Sequence, residues 1–159
     1  MTLRSGLFGL GLAILLVSVP QISLPGESGL IAKPSKYSVQ ETIKRFEGAV
    51  TAKGWVVFTE VDHAAAAAKF GLELRPRTVV VFGNPKIGTP AMQKAPTLAI
   101  DVPAKALVWQ DDQGKVWLTY NSAEYLGGYI YPRHGLAMAG EVRQTVERTF
   151  GEFSDQGTQ

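Results

Sequence analysis

Two short stretches hold most of the residues that could do chemistry. In "FGNPKIGTPAMQ", Gly83, Asn84, Lys86, Gly88 and Thr89 follow an apolar run. Glycines, a lysine and a hydroxyl are the ingredients of a loop that holds an anion or a polar ligand on backbone N–H groups. Pro85 and Pro90 each delete one such donor, and the spacing fits neither the Walker pattern nor the dinucleotide fingerprint. The same residues suit plain architecture: Asn84 and Thr89 as helix caps, with each proline presetting φ at a first helical position. The second stretch is "VDHA". Asp62 ends a strand-like run and is placed to cap a helix, and His63 follows as a proton carrier or ligand candidate. Acid–base work would pair His63 with Asp62 or with Glu73 from "GLELRPR". Arg75 and Arg77 flank Pro76 there. On a strand they would share a face with Glu73 and form either a surface ion-pair cluster or a fork for a carboxylate. The ligand-binding candidates are therefore Asp62, His63, Glu73, Arg75, Asn84, Lys86 and Thr89, and no residue is assigned a catalytic role.

Other chemistries lack parts. The chain has no cysteine, which removes disulfides, thiolate nucleophiles and thiolate metal sites. Its two histidines, His63 and His134, with scattered carboxylates fall short of the three or four ligands zinc takes, so no metal is expected. His134 sits in "YPRHG" beside Arg133, read here as loop. No GxSxG motif is present, and Ser122 reads as the cap of "AEYL". No cofactor motif is found. With 16 basic and 14 acidic residues the net charge is +2, so no nucleic-acid partner is expected.

The elements that must position these residues follow from pattern. "SVQETIKRFEGAVTAKG" opens with a Ser38–Glu41 capping box and repeats Val39, Ile43, Phe46 and Val50 at helical spacing, with Gly54 as the stop. "WVVFTEVD" and "RTVVVFG" read as strands around a short alanine helix. "AKALVWQ" and "KVWLTYN" flank "DDQG" as a β-hairpin in which Trp109 and Trp117 face each other. A helix begins near Leu136 and runs to Phe150, and residues 151–159 read as a flexible tail. With a strand near Ile31 added, the order is β, α, β, α, β, α, β, β, α. That order predicts an α+β domain over residues 30–150, one mixed or antiparallel sheet with helices packed on it.

Ahead of it, Arg4 precedes "LFGLGLAILLVSV", and no charge occurs from there until Glu27. This run matches a signal-peptide core and is shorter than the roughly 20 residues that span a bilayer. Residues 1–29 are expected to be an export signal or a membrane anchor plus linker, which directs the domain to the cell envelope. Membrane contact would come through that segment alone.

"GWVVFTEVDHAAAAAKFGLELRP", "VVVFGNPKIGTPAMQKAP", "LAIDVPAKALVW" and "DQGKVWLTYN" together resemble the family called domain of unknown function 302, over about residues 35 to 126. "FGNPKIGTPAMQ" is the most specific part. The resemblance implies an α+β domain with a TATA-binding-protein-like arrangement of sheet and helices, and it implies no activity. Likeness of fold to a DNA-binding protein is not evidence of DNA binding. The functional expectation is a non-catalytic module for an unidentified small molecule or protein. The alternatives are the His63 acid–base enzyme and a structural domain that forms a homodimer.

Overall fold

Ser38 opens α1, Val39–Ala52, by accepting the Glu41 amide on its hydroxyl at 3.2 Å. The periodic set Val39, Ile43, Phe46 and Val50 is buried as the spacing requires. The computed structural model describes residues 29–159, and the expected signal or anchor lies outside them apart from Gly29. The strands are β1 (Leu30–Pro34), β2 (Val56–Asp62), β3 (Arg77–Gly83), β4 (Ala104–Gln110) and β5 (Val116–Asn121). They form one sheet in the order β1-β5-β4-β3-β2. Every neighbouring pair is antiparallel.

Alternation assigns the faces. Val80 and Phe82 of β3, Ala106 and Val108 of β4, and Leu118 and Tyr120 of β5 are buried beneath α1 and α6 (Gly140–Thr158). Between them Phe46, Phe82, Phe150 and Phe153 meet in edge-to-face pairs, with Phe46 and Phe82 centred 5.1 Å apart. Trp55 joins this cluster against Phe150 and Phe153. Burying each such ring stabilises the fold by about 1.5–3 kcal/mol. On the opposite face Trp109 and Trp117 are partners across the hairpin and stack at 6.3 Å, as their positions beside the turn predict.

Three expectations are corrected. The segment expected to be a flexible tail, 151–159, is helix to Thr158, because Phe153, Ser154, Gly157 and Thr158 are buried. "GGYIYPRHG" is not loop. Ser122 caps α4 (Ala123–Tyr125), and the chain winds on through a π-turn, Leu126–Ile130, into α5, Tyr131–Arg133. Burial of Gly127 and Ile130 holds that wound segment in place. Finally, residues 72–76 are not strand, so no pleat puts Glu73, Arg75 and Arg77 on one face; β3 starts only at Arg77.

Candidate functional site

Gly83 ends β3 and Asn84 begins α3, Pro85–Lys94, which runs unbroken through Gly88. The Asn84 Oδ1 accepts the Lys86 amide at 3.0 Å, so the expected Asn84 cap forms. Thr89 lies inside the helix, exposed, and caps nothing. After α3 the chain makes a 3₁₀ turn, Pro96–Ile100, and returns through Val102 and Pro103 into β4.

Between this crossover, the α4–α5 segment and α6 lies a cavity of about 140 Å³. Its wall is mostly apolar, with Trp55, Met92, Pro103, Leu126, Met138 and Phe150 among the lining side chains. Phe58 closes one side. It occupies the bulge between Val57 and Thr59 in β2 and is 50 % exposed. A Cβ on residue 83 would stand 3.3 Å from the Pro103 Cβ and 3.5 Å from the Phe58 ring, so glycine there lets both come over the strand end.

The edge of the cavity is polar. Asp101 lines it and anchors a chain of contacts. Its Oδ2 lies 2.6 Å from His134 Nε2 and 3.4 Å from Arg133 Nε. The other imidazole nitrogen, Nδ1, is 2.8 Å from the Thr97 hydroxyl. A carboxylate can only accept, so Nε2 carries the proton, and in the neutral ring Nδ1 then accepts from Thr97. The hydrogen bond from His134, helped by the Arg133 charge, holds the Asp101 carboxyl below the usual aspartate range, against the opposing effect of its partial burial. Lys105 Nζ bonds the carbonyls of Asp101 at 2.9 Å and Pro103 at 3.1 Å. Hydroxyl, imidazole and carboxylate in line are the parts of a proton relay. Thr97, however, is exposed and is not part of the cavity wall. What the relay does visibly is tie α5 to the 3₁₀ turn through a histidine side chain only 5 % exposed.

The residues singled out in the sequence separate into groups. Asp62 accepts the Ala65 amide at 2.9 Å and so caps α2, His63–Ala68, with His63 exposed in its first turn. Glu73 and Arg75 border a shallow hollow beside α2, and Arg75 pairs with Asp112 at 3.1 Å across the exposed surface. His63 is not among the residues that line this hollow. Asn84 lines the cavity, whereas Lys86 and Thr89 point from exposed positions of α3. Asp62 pairs with Thr78 and Val56 with Gly83, so the α2 group and the cavity occupy opposite ends of β3, about 17 Å apart. Asp101, Lys105 and Tyr131 line the cavity and were not singled out in the sequence, and His134, weighed there only as a metal ligand, stands behind Asp101. Nothing in the spacing of the sequence ties "IDVP" to "YPRH", whose Asp101 and His134 are 33 positions apart.

A family model described as domain of unknown function DUF302 matches residues 31–153. The match runs into the final helix as far as residue 153, beyond the span over which the sequence motifs resemble that family. Among curated proteins the chain is 41 % identical over 135 residues to the fluoride-specific ion channel FluC 1 of Brucella suis biovar 1 (strain 1330), covering 85 % of this chain and 52 % of that protein. It is likewise 41 % identical to FluC 1 of Brucella abortus biovar 1 (strain 9-941), covering 48 % of that protein. The chain thus spans about half the length of the curated relatives it matches. Among solved structures, the crystal structure of an uncharacterized conserved DUF302 protein from Bacillus stearothermophilus superposes with a TM-score of 0.67 at 17 % identity. It covers 81 % of this chain and 98 % of that one. Among the described residues no helix is long and apolar enough to cross a membrane.

Proposed function

The chain belongs to the DUF302 family, and from that premise we propose that it is a binding module whose cavity at the end of β3 takes a small, largely apolar ligand. The observation that carries this reading is the cavity itself: about 140 Å³ of apolar-walled space beside the core, partly open to solvent past the exposed Phe58 and Ile87. A sealed apolar cavity of roughly 150 Å³ accepts benzene, so the part of a ligand that enters this partly open space has about six heavy atoms. Drug-sized sites are larger, about 300–1,000 Å³. The alternation of mobile-shaped Met92 and Met138 with rigid rings gives the wall some adaptability.

Thermal denaturation with and without toluene tests the reading. Binding to the folded state alone raises the midpoint in proportion to the logarithm of ligand concentration. Ala104→Leu, which fills the cavity from β4, is expected to abolish that rise. A midpoint that toluene leaves unmoved, or one that rises equally in the filled variant, removes the proposal.

A second reading is favoured by the half-length match to proteins named as fluoride-specific ion channels. On it, the module works beside a membrane channel at the cell envelope, with the apolar run Leu7–Val19 as the signal or anchor that carries it there. Both readings are compatible with one another, a ligand in the cavity being what the module would report to its partner.

A further inference from the structure

We propose that the ligand is a small carboxylate, an aryl or short-alkyl acid whose body fills the apolar space and whose head group meets hydrogen-bond donors at the cavity edge; this rests on the binding role assigned above. The hydrogen-bond capacity left over in the lining decides the class. Asn84 turns its carbonyl oxygen to the Lys86 amide, and its NH₂ has no hydrogen-bond partner among the described residues. Lys105 has three ammonium protons and directs two of them to the Asp101 and Pro103 carbonyls, which leaves one. Tyr131 lines the cavity with a hydroxyl that has no hydrogen-bond partner among the described residues. Burial raises the pKa of that hydroxyl, so it stays protonated and able to donate.

Three donors thus border one apolar space without matching acceptors, and a carboxylate carries acceptor sites enough for all three. Charge points the same way. The Asp101 carboxylate lies against Arg133 and His134, so its charge is already met. Lys105 hydrogen-bonds only to neutral carbonyls and acts on Asp101 through space as the weakest of its charged neighbours, so its ammonium is free of a direct ion pair at the rim. A cationic ligand would face that ammonium, and a neutral one would leave it unpaired. Lys105 is exposed, so an anionic head group there keeps contact with water and avoids the cost of full burial.

Calorimetric titration of the full chain with benzoate, benzamide and benzene tests this. Benzoate is expected to bind at least about tenfold more tightly than its neutral isostere benzamide, the scale of one charge-assisted hydrogen bond. Lys105→Gln, checked for an unchanged thermal midpoint, is expected to bring benzoate down to the benzamide level, and Tyr131→Phe to weaken it further. If benzamide binds as well as benzoate, or if Lys105→Gln leaves benzoate untouched, the carboxylate assignment falls. Benzene binding in that case still supports the apolar pocket. If none of the three binds, both the assignment and the pocket reading fall together.

Discussion

Asp101 gathers more contacts than any other carboxylate near the cavity: His134 and Arg133 on its side chain, Lys105 on its carbonyl. Because its folded pKa lies below the ordinary value near 3.9, its contribution to stability is complete above that pH. It is lost as acidification passes down through the folded value. Asp111, held low chiefly by the Trp117 indole N–H, and Glu152, held low by Lys53, act with the same sign. The wild-type protein should therefore lose stability in urea as the pH falls from about 5 to about 2. Asp101→Asn should show a smaller loss over that window, and an equal loss would mean that the His134 contact contributes nothing. None of this cluster could be read from the chain. Asp101 and His134 are 33 positions apart, one on a 3₁₀ turn and the other after a π-turn, and neither element has a periodicity that announces its partner. Asn84 was legible because capping is a local matter: its acceptor needs only an amide two residues on.

At the scale of elements, α1 and the hairpin were legible from spacing because each is built by neighbours in sequence. The end of α6 was not. Gly151 and Gly157 lower helix propensity there and read as fraying. Yet Val146, Phe150, Phe153 and Gly157 continue one face at steps of four, three and four, and tertiary packing overrides propensity. Gly157 serves the packing directly. A Cβ there would stand 3.1 Å from the Phe46 Cβ and 3.4 Å from the Phe46 Cα, so its absence lets α6 approach α1. Lys33 reaches Asp155 at 2.6 Å, and Arg45 donates to the carbonyls of Gln156 and Gln159, a cation at a helix C-terminal end where the dipole favours it. Phe153 is fully buried among Phe46, Trp55 and Phe82. Phe153→Ala should lower the unfolding free energy by about 3–5 kcal/mol in chemical denaturation. A loss under about 1 kcal/mol, the level of a surface change, would show that the last two turns of α6 are dispensable.

For the whole molecule, helices cover one face of the sheet, and the cavity lies at the margin of that covered side. The α2 group and the cavity also stand at opposite ends of β3. If the module serves a channel of the kind its half-length relatives are named for, cells lacking this chain should become more sensitive to fluoride in growth assays. Restoring the chain should reverse the defect, and unchanged tolerance would remove that reading while leaving the cavity's role intact. The layered arrangement also divides how the protein absorbs light. Two of its three tryptophans, Trp109 and Trp117, lie nearly parallel at 6.3 Å and 21°, close enough for their electronic transitions to mix. Trp55 is set apart beside the cavity. Among its indoles the chain therefore carries a coupled pair that senses the bare sheet face and a single ring that senses the space it lines.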